Sequence, residues 1–324
     1  MPLFLSPVSK GLAWLGRHGA AGFAVSIFLG LALPWLASSF RPFLPASIFL
    51  FVTLSFARAD FAGVRRVMRR PAMMAATSVW MVLAMPALIG IGLAAIGRGA
   101  VEPGLLLGIA LVAAAPPLMG FPAYAALLGL DNSLGIALLV ITLAVTPFVA
   151  PPLASFVAGS AVPIDSVVLG VRLFGLLAGA GGAALLLRRI AGPERLAAAR
   201  HQLDGVFVLI YFFFAIAAMD GVIGQTLADP LRTVLYLAVG SGLALLGLGA
   251  AMLALRSLGA GEAFVLGLGT GMRNTGLLVG AMGAACPPDT YLFFALLQFP
   301  IYLAPFVMAP LALVVARRAA QAKG

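Results

Sequence analysis

The chain has 324 residues, of which 63% are hydrophobic and only 9% are charged, and its mean hydropathy is +1.13. A water-soluble domain of this length could not solvate such a surface, so the composition indicates an integral membrane protein. The net charge of +10 would suit a nucleic-acid partner. The basic residues lie at the ends of apolar segments, however, and this indicates membrane topology and no nucleic-acid ligand. The single cysteine, Cys286, excludes an internal disulfide and a cysteine metal cluster.

The apolar runs predict bilayer-spanning α-helices, because they continue for about 20 residues and do not alternate as barrel strands do. The first predicted element is residues 1–19, a short amphipathic helix on the membrane surface. Ten predicted spans follow, at about 20–37, 42–57, 71–95, 104–130, 133–157, 166–188, 203–223, 231–255, 262–286 and 289–315. We expect an all-α membrane protein without a soluble domain.

The arginines in the predicted loops are distributed unequally between the two sides of the membrane. One side carries clusters such as Arg65, Arg66, Arg69 and Arg70, whereas the other side carries only Arg41, Arg98 and Arg232. The positive-inside rule therefore predicts a multi-pass protein of the cytoplasmic (inner) membrane with both termini in the cytoplasm.

A short pattern recurs in the two halves of the chain. Residues 147–154 read PFVAPPLA, and residues 305–312 read PFVMAPLA, which is 158 positions later. This offset predicts two five-helix repeats, residues 20–157 and 166–316. Because five is an odd number, the second repeat would enter the membrane from the opposite side, which gives the inverted topology of many secondary transporters.

Spans four and nine are predicted to be interrupted. Span four contains Pro116, Pro117 and Pro122, which lack backbone donors. Span nine reads GLGTGMRNTGLLVG over residues 267–280, with glycines that allow a break and an arginine at mid-membrane depth. An intramembrane arginine costs about 2.5–3.5 kcal/mol on insertion scales, so Arg273 is expected to face protein or water and to have a function.

The interrupted spans supply the candidate substrate-binding residues. Helix N-termini at a break favour an anion, and the planar guanidinium of Arg273 fits a carboxylate or sulfonate. The candidate residues are Arg273, Asn274, Thr275, Pro116, Pro117, Phe121 and Gln298. Phe121 and Tyr124 could form an aromatic wall. For Phe121, Tyr124 and Gln298, a packing role is at least as compatible with the sequence.

Asp220 is the candidate coupling residue, near the outer end of span seven. It could pair with Arg273 or take part in proton coupling, but a solvated carboxylate at the membrane interface is the favoured interpretation. No metal site and no cofactor are expected.

The ten spans, the inverted repeats, Met85-Pro86 and the sequence Gly271-Met272-Arg273-Asn274 resemble the bile acid:sodium symporter family, which commonly reads G-M-Q-N at the last motif. The resemblance implies a panel domain of helices 1, 2, 6 and 7 and a core domain of helices 3–5 and 8–10. It also implies that helices 4 and 9 cross in the core, that Asn274 lies near the substrate, and that transport works by alternating access.

The chain departs from that family at the positions where the resemblance implies sodium ligands. Those positions hold Gly269, Arg273, Met81, Phe121, Pro122, Gly135 and Leu139. Side-chain oxygens of both sodium sites are therefore missing, and Arg273 stands at a former sodium position.

The resulting hypothesis is a sodium-independent secondary transporter of an organic anion. The sequence leaves three alternatives open: a sodium-coupled organic-acid symporter that uses backbone ligands, a non-transporting membrane sensor, and an intramembrane enzyme. An enzyme is not expected, because the spans hold no histidine and one deep-lying acid. The expected partners are a small organic anion and the lipid bilayer, and both a monomer and a homodimer are compatible with the sequence.

Overall fold

The computed structural model describes residues 7–58, 65, 68–122 and 133–321, and these residues form helices and short connections with no β-strand. The helices are α1 (Pro7–Arg17), α2 (Gly19–Ala32), α3 (Pro34–Arg58), α4 (Pro71–Ile96), α5 (Pro103–Ala114), α6 (Ser133–Ala158), α7 (Ser166–Ala191), α8 (Pro193–Ala198), α9 (Arg200–Ala218), α10 (Val222–Ala228), α11 (Pro230–Ala254), α12 (Ala260–Gly271), α13 (Thr275–Met282), α14 (Pro288–Val307) and α15 (Ala309–Gln321).

Six helical segments in the described part of the chain are long and apolar enough to cross a membrane. They are α3, α4, α6, α7, α9 together with α10, and α11. A seventh is formed by α14 and α15 if this pair, bent by 50° at its break, counts as one span. The helices therefore have the composition of a multi-pass membrane protein.

The first break in the helices lies before the predicted boundary between spans one and two, and a second irregularity, the 3-10 turn Arg41–Phe43, lies close to that boundary. The sequence pattern predicts that span one ends at about residue 37 and that span two begins at about 42, whereas α2 ends at Ala32 and α3 begins at Pro34. Leu33 between them is not helical, with φ −124° and ψ 69°. The reason is Pro34, which disfavours a helical conformation at the residue before it and starts a new helix without needing a donor.

The chain divides into two compact units. Unit 1 combines Met1–Ala59 with Gly175–Thr233, and α9 is the helix on which α1, α2 and α3 pack. Close approach depends on two glycines: a Cβ on Gly205 would collide with the backbone of Leu12, and a Cβ on Gly30 would lie 2.9 Å from the Met219 Cβ. The predicted surface helix, here α1, therefore packs on α9 along one side.

Unit 2 combines Asp60–Phe174 with Val234–Gly324. Its centre is α5, whose residues from Leu105 to Ala114 are all buried and which packs against α4, α6, α13 and α14. A core cluster that includes Met81, Leu138 and Leu266 joins α4, α6 and α12. Unit 2 thereby brings together the two segments that the sequence predicts to be interrupted.

Candidate functional site at the crossing of two interrupted helices

The first interruption lies at the end of α5. The Ala115 amide donates to the Leu111 carbonyl at 2.9 Å, and the chain then becomes extended, with φ −60° and ψ 147° at Ala115. Pro116 and Pro117 explain the break, because neither has an N–H to continue the helix and each disfavours helical geometry at the residue before it.

The second interruption separates α12 from α13. α12 ends at Gly271, Met272 is extended, and α13 starts at Thr275. Asn274 caps α13, since its Oδ1 atom accepts a hydrogen bond from the Leu277 amide at 3.3 Å. Asparagine is a preferred residue at this capping position, so the sequence Arg273-Asn274-Thr275 specifies where the second half-helix begins.

The two interruptions pair with each other. The Leu118 amide donates to the Met272 carbonyl, and the Asn274 amide donates to the Pro116 carbonyl, each at 2.8 Å. These bonds form an antiparallel bridge in which Pro117 lies opposite Arg273. Backbone groups within a membrane must be satisfied inside the protein, and the crossing of the two extended segments does this for both breaks at once.

Arg273 ties this crossing to two helices. Its side chain is only 3% exposed; Nη1 donates to the Met81 carbonyl in α4 at 2.9 Å, and Nη2 donates to the Ala113 carbonyl at 3.4 Å. Ala113 lies in the last turn of α5, where carbonyls have no helical partner and where a positive charge is favourable. The guanidinium is therefore the C-terminal cap of the broken helix.

Two buried polar atoms at the second break have no hydrogen-bond partner among the described residues. They are Nε of Arg273 and Oγ1 of Thr275. Arg273 also makes no ion pair within the described part of the chain. A buried polar group without a partner is costly, so both atoms point to a water molecule or a ligand as the missing partner.

A cavity lies directly beside Arg273, and we call it the Arg273 cavity. It is lined by Arg273, Met81, Pro116, Pro117, Thr142 and Thr146, together with small and branched apolar residues of α4, α6 and the end of α5. Its volume of about 10 Å³ accommodates roughly one water molecule. The Thr142 and Thr146 hydroxyls donate to carbonyls one turn earlier in α6, so Arg273 is the donor that this cavity offers.

Four of the positions at which the resemblance implies sodium ligands lie together, and none of them has a side-chain oxygen: Gly269, Gly135, Met81 and Phe121. A Cβ on Gly269 would lie 2.9 Å from the Met81 Cε atom and 3.1 Å from the Phe121 ring. A Cβ on Gly135 would lie 2.9 Å from the same ring. Phe121 is fully buried, so its ring fills the space over both glycines.

The Arg273 cavity is not lined by the other described candidate residues, which are Asn274, Thr275, Phe121, Gln298 and Asp220. Gln298 is buried and donates to the Phe294 carbonyl of its own helix at 2.9 Å. Asp220, in unit 1, accepts a hydrogen bond from Arg41 at 2.7 Å, so its ion pair is with Arg41 and not with Arg273. Tyr124 lies outside the described residues.

Sequence reasoning missed two features of the site. Thr142 and Thr146 are four residues apart on α6, a spacing that places both on one helix face, and this signal was available. Arg172 is predicted from the sequence to snorkel to the membrane interface, and it is exposed in the structure, but its hydrogen-bond partners were not predicted. In the structure its Nη1 donates to the Ala281 carbonyl at 3.3 Å and to the Met282 carbonyl at 3.0 Å, at the end of α13.

We expect Arg172→Gln to destabilise the protein by about 1 kcal/mol, because it removes a positive charge and two hydrogen bonds from the C-terminus of α13. Thermal unfolding of the detergent-purified protein measures the change. Arg256→Gln is the matched control, because Arg256 is exposed like Arg172 but its side chain makes no hydrogen bond within the described part of the chain. Equal melting temperatures for the two variants would show that Arg172 does not hold the end of α13.

No protein-family model matches the chain, and a search of curated proteins finds no match either. The crossing combines a buried arginine that makes no ion pair among the described residues with two interrupted helices that meet at this arginine.

Proposed function

We propose that the protein is a secondary active transporter of an organic anion and that it works by alternating access without sodium. The observation that carries this proposal is the pair of unsatisfied polar atoms, Arg273 Nε and Thr275 Oγ1, at the break between α12 and α13. A half-helix that begins beside a buried cation is suited to bind a carboxylate or sulfonate. Asn274, which is half-buried and caps the same helix, would fix the orientation of the anion.

The proposed architecture has ten membrane crossings in two inverted repeats. The six long helices and the bent pair α14–α15 supply seven of these crossings. The other three would be α2, the segment that contains α5, and the α12–α13 pair. Support for a separate core and panel comes from the division into two compact units, because unit 2 contains both interrupted segments and unit 1 contains neither. The proposed location is the cytoplasmic membrane, with both termini in the cytoplasm.

Sodium independence is supported by the chemistry of the residues near the crossing. A hard cation prefers several oxygen ligands, whereas Met81, Phe121, Gly135 and Gly269 present a thioether, an aromatic ring and two glycines. Arg273 brings a fixed positive charge to the same region through its bond to the Met81 carbonyl. The arginine would thus do permanently what a bound sodium ion does reversibly, which is to hold the crossing together.

We expect the melting temperature of the purified protein to be insensitive to sodium when potassium keeps the ionic strength constant. A ligand that binds only the folded protein stabilises it by about 2.7 kcal/mol at a hundred times its dissociation constant, which a thermal-unfolding titration detects readily. The same titration with pyruvate, benzenesulfonate and taurocholate is expected to raise the melting temperature for at least one anion.

The two titrations separate the proposal from its closest rival. A sodium-specific rise would show that backbone oxygens still form a cation site and would favour a sodium-coupled symporter. Stabilisation by an anion that persists in Arg273→Lys and is lost in Arg273→Gln would support direct contact with the charge. Binding without flux in vesicles would contradict transport and favour a sensor.

A further inference from the structure

We infer that the protein is an obligatory exchanger of monovalent organic anions, in which the charge of Arg273 prevents the carrier from returning without an anion. This inference rests on the proposed function and specifies the mode of transport. The positive charge of Arg273 lies buried at the crossing, and no described acidic residue pairs with it.

The protein satisfies only part of the guanidinium. Carbonyls of Met81 and Ala113 accept hydrogen bonds from Nη1 and Nη2, and the negative end of the α5 dipole offsets part of the charge. Nε has no partner in the described part of the chain. One further acceptor with a negative charge would satisfy Nε–H and neutralise the guanidinium.

Arg273 is the side chain that lines the Arg273 cavity with N–H groups that are not already engaged. Pro116 and Pro117 have no N–H, and the hydroxyl hydrogens of Thr142 and Thr146 are engaged with α6 carbonyls. A volume of about 10 Å³ accommodates one oxygen atom of a head group and not a whole organic molecule. The cavity thus fits one oxygen of a singly charged carboxylate or sulfonate, because a second negative charge would find no second cation.

The exchange mode follows from the free energy of the closed carrier. With a monoanion bound, the crossing is neutral overall when the carrier passes through its occluded state. Without the anion, the guanidinium edge stays uncompensated in a medium of low dielectric constant, and for an unpaired arginine at mid-bilayer this penalty corresponds to about a hundredfold lower population. The carbonyls reduce the penalty, so the loaded carrier should reorient at least about tenfold faster than the empty one.

The test uses the full-length protein in vesicles and labelled pyruvate, benzenesulfonate and taurocholate as probes. Initial uptake is compared between vesicles preloaded with the same unlabelled anion and vesicles that contain only potassium sulfate. Valinomycin with equal potassium on both sides clamps the membrane potential, so that a potential cannot limit net uptake. We expect at least about tenfold faster uptake of a transported probe into the preloaded vesicles.

Each outcome decides a different claim. Equal uptake into both kinds of vesicle would overturn obligatory exchange and leave the proposed carrier function standing. No uptake of any probe in either arrangement would overturn the carrier function and this inference with it. Two variants assign the effect to the charge: Arg273→Gln should lose the fast uptake into preloaded vesicles, because it lacks the charge that binds the anion, and Arg273→Lys should keep it. An unchanged ratio in Arg273→Gln would overturn the role of Arg273, while the wild-type comparison does not depend on either variant folding.

Discussion

Replacing Arg273 by alanine is expected to lower the free energy of unfolding by about 3 kcal/mol. The alanine variant leaves the Ala113 carbonyl without a donor, because Pro117 stands four residues later, and it removes one hydrogen bond from the Met81 carbonyl. An unsatisfied buried acceptor costs about 1–3 kcal/mol. It also opens a cavity where the arginine stem was packed, which adds to the loss. Removing a buried charge recovers about 2.5–3.5 kcal/mol, which offsets only part of the sum.

Three substitutions of Arg273 separate the contributions of its charge and of its hydrogen bonds to stability. Arg273→Gln retains one amide donor and removes the charge, so we expect a smaller loss than for alanine. Arg273→Lys retains the charge and a donor but cannot bridge two carbonyls with one planar group. Thermal unfolding of the three variants in detergent measures the order of their stabilities. Wild-type stability in the alanine variant would mean that the guanidinium does not hold α4 and α5 together.

Gly271→Ala is expected to destabilise the protein by about 3 kcal/mol, because the new methyl group has no room between α11 and α12. A Cβ on Gly271 would collide with the Ala244 carbonyl oxygen and would lie 3.1 Å from the Leu248 amide nitrogen. These are backbone atoms, which cannot rotate away as a side chain could. On the facing helix, a Cβ on Gly247 would lie 2.6 Å from the Gly271 Cα atom, so the two helices touch backbone to backbone.

The matched control is Gly242→Ala. Gly242 lies in α11, as Gly247 does, but a Cβ added there would have no atom within 4 Å. Alanine in a helix interior is favoured over glycine by about 0.5–1 kcal/mol, so this control should melt at or above the wild-type temperature. Thermal unfolding and the yield of monodisperse protein measure both variants. Similar melting temperatures for Gly271→Ala and Gly242→Ala would contradict the close contact.

The interruptions could be predicted from the sequence because each is encoded locally. Pro116 and Pro117 remove donors whatever surrounds them, and Asn274 caps a helix through its own side chain. The partners of Arg273 could not be predicted. The Met81 and Ala113 carbonyls are 192 and 160 positions away in the chain, and carbonyls carry no residue-specific signal.

The repeated PFVxxPLA pattern shows a second limit of sequence reasoning. Its first copy lies within α6, which continues from Ser133 to Ala158 through Pro147 and Pro151. Its second copy covers the break between α14 and α15, where the pair bends by 50°. The same residues are thus compatible with a continuous helix and with a bend, so packing around each copy determines the outcome. Phe121 is similar, because only the structure places its ring over Gly135 and Gly269.

The pairing of Leu118 with Met272 has a consequence for how the chain is made. The Leu118 amide obtains its backbone acceptor from a residue that is synthesised more than 150 positions later. At about 5–20 residues per second, the ribosome needs roughly 10–30 s to reach Met272 after Leu118. During that interval the end of α5 is in the membrane without its final partner. The crossing is therefore one of the last parts of unit 2 to form, and the first half of the chain depends on the second half to complete it.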